Sequence, residues 1–227
     1  MQTRLVATFA PLIVAVALLA GCTSGDSPDP ATLVNESSET TKEQTSAHLE
    51  LSVEGEITGL PVQAIEGDLT QTPEVAAQGT IDVTYFGQEL VGVEFVVSGG
   101  DIWAALTAGS TLTNYGPASA IYDVGAILDP DQGLANLLAN FSDAKVDGSE
   151  TIAGVDTVRI TGTVTADAVN KIIPQIGATD PVPATVWIAE DGDHELIQIQ
   201  LEPSSGNSVT MTLSKWGEPV TVDTPAP

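Results

Sequence analysis

A thiol can attack an electrophile, pair with a second thiol or accept a covalent group. Cys22 is the only cysteine of this 227-residue chain, so an internal disulfide is excluded. Its surroundings choose among the remaining roles. Arg4 is the only charged side chain in the first 25 residues, and residues 5–20 are apolar apart from Thr8 and Pro11. A run of about 16 residues falls short of the ~20 needed to cross a bilayer. A basic start, an apolar middle and small residues at its end describe an export signal. Leu19-Ala20-Gly21-Cys22 matches the lipobox, in which the thiol takes a diacylglyceryl group and becomes the mature N-terminus. An ordinary signal peptide would leave an exposed free thiol in an exported protein, which lipidation avoids. Two acyl chains suffice for stable membrane attachment. Cys22 is therefore expected to anchor the protein to the outer face of the inner (cell) membrane, with residues 1–21 removed.

Other catalytic constellations are scarce. The sequence has no Gly-x-Ser-x-Gly elbow and no glycine loop ending in Lys-Ser or Lys-Thr. His48 and His194 both fall in stretches read as strands, where a lone histidine is more often structural than a general base. "DPDQG" at Asp129 is similar to the start of a calcium loop. Its glycine stands fifth rather than sixth, however, and the twelfth position is Asn140 rather than Glu, so it reads as a helix entry. The carboxylates of "EDGDHE" (Glu190, Asp191, Asp193, Glu195) read as a solvated hairpin tip. No cofactor, metal site or catalytic residue is expected. An envelope hydrolase acting on acyl esters and a solid-core surface interaction protein remain as alternatives to a binding protein.

Six basic residues face 31 acidic ones, for a formal net charge of −25. Such a chain is repelled by nucleic acid and by anionic lipid surfaces, so no nucleic-acid partner is expected. Any membrane attachment must come from acylated Cys22 rather than from a basic patch. Removal of residues 1–21 leaves roughly 205 residues, enough for one domain with a sizeable core. Aromatics are few, and Val, Ile, Thr and Gly are many, which points to a β-rich fold with aliphatic packing.

The elements that must position these groups follow from periodicity. Residues 22–30 read as the acylated cysteine and a polar tether, 31–217 as the domain and 218–227 as a tail. Ala31–Gln44 predicts a short helix. Val75, Ala77, Gly79, Ile81, Val83 and Tyr85 share one parity, as do Leu49, Leu51 and Val53, and Val91, Val93, Phe95 and Val97. Tyr85-Phe86-Gly87-Gln88 predicts a hairpin. Val158, Ile160, Gly162 and Val164 alternate with polar residues. "TVWIAEDGDHELIQIQLE" reads as two strands joined at Asp191-Gly192-Asp193, and "SVTMTLSKW" adds another. Two helices interrupt the strands. Leu134, Leu137, Leu138 and Phe141 stand at helical spacing after Asp129-Pro130-Asp131. Val169, Ile172, Ile173 and Ile176 follow an N-cap at Thr165, with Pro174 disturbing the last turn and Gly177 ending it. The simplest arrangement is α+β: a curved antiparallel sheet with helices across its apolar face.

Apolar residues from both layers then face one another. Ile81, Val83, Val93, Phe95, Val97, Val158, Ile160 and Val164 of the strands meet Leu137, Leu138, Phe141, Val169, Ile172 and Ile173 of the helices. Periodicity does not distinguish a solid core from a cavity with aliphatic walls.

Longer segments do. "TSAHLELSVEG", "EGDLT", "YGPASAIYDVGAILDPDQGLANLLANFSDAKVDGSETIAGVDTVRITGTV", "PVPATVWIAEDGDH" and "GNSVTMTLSKWGEPV" closely resemble, in order, the LppX/LprA/LprF/LprG family of mycobacterial lipoproteins, and within it the LprG type. The resemblance covers nearly the whole chain from about Leu33. It implies a half-barrel of antiparallel strands, with helices over its concave face and a deep apolar cavity for acyl chains between them. The residues grouped above are then expected to line that cavity, with Ile81 mid-wall. It also implies binding of acylated glycolipids, of the phosphatidylinositol mannoside or lipoarabinomannan type, or of triacylglycerol, and outward lipid movement with a major-facilitator exporter. The strong acidity departs from what a carrier of anionic headgroups requires and favours neutral glycolipid or triacylglycerol cargo.

Overall fold

The computed structural model describes residues 29–107 and 109–225. Cys22, its lipobox and the preceding apolar run lie outside the described residues. Helix α1 spans Pro30–Lys42. Six strands follow: β1 (Ser46–Glu54), β2 (Val62–Thr70), β3 (Ala76–Tyr85), β4 (Gln88–Ser98), β5 (Asp101–Ala105) and β6 (Thr113–Pro117). Two 3₁₀ turns, Ala118–Ala120 and Val124–Ile127, lead to α2 (Leu134–Ala139). Then come β7 (Phe141–Ile152), β8 (Val155–Val164), α3 (Ala166–Ile172), a 3₁₀ turn at Pro174–Ile176, β9 (Val182–Ala189), β10 (Leu196–Ser204) and β11 (Asn207–Ser214).

All these strands join one 11-stranded sheet in the order β6-β5-β4-β3-β2-β1-β11-β10-β9-β8-β7. Every pairing is antiparallel. β1 and β11 meet in the middle, so β6 and β7 form opposite edges, and the chain between them crosses from one to the other.

Curvature has a residue-level cause. Gly67 of β2 stands opposite Gly79 of β3, which in turn faces Phe95 of β4. A Cβ on Gly79 would come within 2.1 Å of the Glu66 carbonyl oxygen, and one on Gly67 within 2.3 Å of the Gln78 carbonyl oxygen. The sheet bends there because no side chain holds the strands apart. A bulge at Gly92 (φ 65°) adds to the bend, and its N–H donates to Asp82 Oδ1 at 2.7 Å. The bulge also corrects one expectation. It shifts the register between Val93 and Leu90, so Leu90 rather than Val91 pairs with Val83, and Val91 is turned out to solvent.

Local signals explain the ends of the elements. The Asp29 carboxylate accepts from the N–H groups of Ala31 and Thr32 at 3.0 and 3.2 Å, ahead of Pro30. Thr165 caps α3 through the Ala168 N–H, Pro174 ends it, and Gly177 (φ 59°) closes the following turn. Tyr85–Gln88 is a two-residue hairpin with Phe86 and Gly87 both at positive φ.

Two further readings differ. α2 stops at Ala139, where Asn140 caps it, so Phe141 is not on the helix but opens β7 opposite Val164. Its ring lies against Gly162, where a Cβ would come within 2.3 Å of Phe141 Cε1. His194 is not in a strand. It sits in the β9–β10 loop with φ 55°.

Candidate functional site

The sheet divides by what covers its concave face. Over β7 to β10 lies α1, packed against β7, β9 and β10, with α2 beside it and α3 beside α2, and their apolar stripes close the space. Leu134, Leu137, Val169 and Ile172 are wholly buried, as are Ile160, Val186, Leu196, Ile199 and Leu201 of the strands beneath. Ser38 of α1 donates to the Ala135 carbonyl at 2.8 Å and ties two of the covering helices together.

Over β1 to β5 lie the segment of residues 118–133 and the end of α3. The segment is built on two short 3₁₀ turns, and its Ile121, Tyr122, Val124 and Ile127 line the space beneath it while Ala118, Ala120, Gly125 and Ala126 add little bulk. Beneath it is a cavity of about 430 Å³. Leu49 and Leu51 of β1, Val62 and Ile65 of β2, and Ile81 and Val83 of β3 form one stretch of wall. Val93, Phe95 and Val97 of β4 and Ile102 and Ala104 of β5 continue it. Val209 and Met211 of β11 bound it on the side of the packed half, and Ile172 and Ile173 at the end of α3 close it from above. Among the described residues no Asp, Glu, Lys or Arg lines it, and its polar groups are the phenols of Tyr85, Tyr115 and Tyr122 and the amide of Gln175. Ile81, Val83 and Phe95 point inward yet remain only half-buried, because they face the cavity instead of another side chain.

The cover is held at defined points. The Tyr122 hydroxyl donates to the Ile172 carbonyl at 2.9 Å, satisfying a helix-end oxygen. Burial pushes its phenol well above the usual tyrosine range, and the neighbouring Asp123 carboxylate adds to the shift. Gln71 Nε2 donates to the Gly125 carbonyl at 2.6 Å. The "DPDQG" stretch ends the cover as a helix entry. Asp129 Oδ1 accepts from the Asp131 N–H at 2.8 Å. Gly133 passes so close to the chain that a Cβ would come within 2.2 Å of the Ile127 carbonyl oxygen.

Of the residues expected to share one cavity, Ile81, Val83, Val93, Phe95, Val97, Ile172 and Ile173 are brought together around it. Leu137, Leu138, Phe141, Val158, Ile160, Val164 and Val169 pack into the solid half instead. Periodicity does not place Val62, Ile65, Ile102, Tyr122, Val124 or Ile127 at the site. β2 and β5 carry too little alternation to be read as strands, and the cover has no helical stripe. Leu49, Leu51, Val209 and Met211 do have visible parity.

The histidines lie elsewhere. His48 neighbours the inward-facing Leu49, so it projects from the convex face, where Nδ1 meets Asp68 Oδ1 at 2.6 Å. His194 Nδ1 lies 3.0 Å from the Ala189 carbonyl oxygen, and Nε2 lies 3.6 Å from Glu36 Oε2. Neither lines the cavity. Between Lys42 and Lys145 the chain contains no Lys or Arg, so β1 to β6 carry no permanent cation.

Comparison with known proteins agrees with this architecture. The lipoarabinomannan carrier protein LprG of Mycolicibacterium hassiacum is 56% identical over 232 residues, spanning all of both chains. That of Mycobacterium tuberculosis H37Rv is 49% identical over 228 residues, covering 98% of this chain and 95% of its own. The crystal structure of LprF from Mycobacterium bovis superposes with a TM-score of 0.80 at 30% identity, over 88% of this chain and 99% of that one. That of Mycobacterium tuberculosis LppX superposes at 0.65 and 33% identity, over 86% and 100%. The family profile described as LppX_LprAFG lipoprotein matches residues 29–222, and the chain belongs to that family.

Proposed function

We propose that this protein is a non-catalytic carrier of acylated lipids, held at the outer face of the cell membrane by acylated Cys22. The observation that carries the reading is the uncharged, aliphatic cavity of about 430 Å³. A ~16-carbon chain costs on the order of 10 kcal/mol to expose to water at ~0.8 kcal/mol per CH₂. Spontaneous transfer of a lipid with two or three chains is therefore slow, and a wall of Leu, Ile, Val and Phe removes most of that cost. At roughly 30 Å³ per methylene-sized group, the space matches about one acyl chain. The printed names of the LprG relatives support glycolipid cargo of the lipoarabinomannan type. The absence of Lys and Arg from β1 to β6 leaves an anionic headgroup without a cationic partner there, so the acyl chains carry the binding and triacylglycerol is a second cargo. A major-facilitator exporter is the proposed partner in outward movement.

Incubation with a radiolabelled triacylated lipid tests the reading. Intact lipid recovered in a soluble complex is expected, whereas released fatty acid would replace the carrier with an acyl-ester hydrolase. For the anchor, Cys22→Ala is expected to leave the domain folded and release it from the membrane fraction. Retention after a salt wash would refute acylation at Cys22.

A further inference from the structure

The carrier reading leaves open how a lipid leaves a bilayer for the cavity, and the surface around the cavity mouth answers it. Six of the nine large apolar side chains exposed on the described residues fall in one region. Tyr85, Phe86, Val91 and Leu106 gather at the end of the sheet formed by the β3–β4 hairpin and the β5–β6 connection, and Tyr115 of the edge strand β6 and Ile121 of the cover continue the rim along the cavity. Tyr85, Leu106, Tyr115 and Ile121 also line the cavity, so its apolar interior continues without a break onto the outer surface.

Phe86 is the anomaly. It occupies the first position of a two-residue turn at φ 49°, where Asn or Asp is favoured and a bulky residue is strained. It is 91% exposed. Its aromatic neighbour is Tyr85, edge-on with ring centroids 4.5 Å apart. Neither backbone preference nor packing accounts for a phenylalanine here. Val91 is turned outward on the flank of the same hairpin by the bulge at Gly92. The chain thus carries a narrow apolar point beside the opening of an apolar cavity.

We propose that the β3–β4 hairpin tip and the cavity rim dock into the boundary between headgroups and acyl chains of a zwitterionic or neutral bilayer. This aligns the cavity mouth with the hydrocarbon layer. The inference rests on the carrier reading. Shape favours a bilayer, because a convex knob with a single protruding ring enters a fluid layer without needing a preformed pocket. Charge selects its composition. The hairpin's ionisable groups besides Tyr85 are Asp82, Glu89 and Glu94, and no Lys or Arg occurs on β1 to β6. An anionic surface therefore offers nothing to bind, and the attraction is apolar. Tyrosines at the rim suit the interface, where the ring is apolar and the hydroxyl stays wet.

The test uses the full protein reconstituted with phosphatidylcholine vesicles whose acyl chains are brominated. Phe86→Trp places a reporter indole at the tip without touching a packed side chain, and Val155→Trp places one on β8, near the opposite edge of the sheet. Bromine quenching of the Phe86→Trp variant but not of the Val155→Trp variant, beyond that of the native tryptophans, is expected. Replacing half the lipid with phosphatidylglycerol is expected to leave the quenching unchanged or weaker. Phe86→Ser is expected to lower vesicle partitioning of the protein on the order of tenfold once Cys22 is replaced by Ser. An unquenched tip indole, equal quenching in both variants, or quenching that requires phosphatidylglycerol would overturn the proposal. So would shielding of the tip indole by an added membrane protein but not by vesicles. Native mass spectrometry of the same preparation separates the two readings. Bound lipid with an unquenched tip removes the docking surface alone, whereas a quenched tip with no bound lipid keeps the docking surface and removes the carrier.

Discussion

The two halves of the sheet are written in the same alternating code and end in opposite states. β8 carries Val158, Ile160 and Val164 on its inner face, and β3 carries Ile81 and Val83 on its own. Ile160 is wholly buried, while Ile81 is half-buried against open space. The strands do not differ in kind; their covers do. α2 and α3 present Leu137, Leu138 and Val169 to one half. The other half receives the end of α3 and a segment of short 3₁₀ turns, pinned by Tyr122 and Gln71, whose Ile121, Val124 and Ile127 line the space without filling it. An alternating strand specifies a face, and the cover decides whether that face becomes core or container.

Substitutions can sharpen or break this contrast. The largest effect is expected from Leu138→Ala in the packed half, which should lower stability by about 2–5 kcal/mol in denaturant unfolding. Val83→Ala in the cavity half removes contacts only partly made and should cost clearly less. Equal losses at the two positions would erase the distinction between core and container.

A smaller effect is expected at the cover. Tyr122→Phe should cost about 1 kcal/mol, the net worth of a hydrogen bond, and should speed lipid release by loosening the cover from α3. The same residue predicts an alkaline limit. Its phenol is held protonated in the folded state above the ordinary value of 10.0. The unfolded chain therefore ionises first, so stability is complete below about pH 10 and is lost as pH rises beyond it. Tyr122→Phe should flatten that part of the stability profile. An identical alkaline slope in wild type and variant would show that the hydroxyl does not latch the cover.

The smallest effect is expected on the convex face. His48→Gln breaks a partly exposed pairing with Asp68 and should change stability by less than about 1 kcal/mol, with lipid loading unchanged. Reduced loading would mean that the outer face takes part in binding.

Much of the fold is legible because its signals are local. Parity in β1, β3 and β8, the Phe86-Gly87 turn and the Thr165 and Gly177 ends of α3 depend on neighbours in sequence. The misses have non-local causes. Helical spacing extends α2 to Phe141, but pairing with Val164 and the flat surface of Gly162 draw that residue into β7. β2 is broken by Glu66, Gly67 and Asp68, residues that make sense only once Gly67 is seen opposite Gly79 at the bend. Which of two matching apolar faces stays open is not written in either face. It depends on residues 118–133, whose Ile121, Tyr122, Val124 and Ile127 line the space without filling it, in a segment with no periodicity to read.

The most direct test of the central claim is Ile81→Trp, measured for both lipid loading and melting temperature of the lipid-free protein, beside Ile160→Trp. An indole forced into a packed core typically costs about 1–3 kcal/mol or more, and Ile160→Trp should show that loss. At Ile81 the indole should occupy space meant for an acyl chain, leaving the melting temperature nearly unchanged while loading falls sharply. A lowered melting temperature at Ile81, or loading that stays at the wild-type level, would contradict the account.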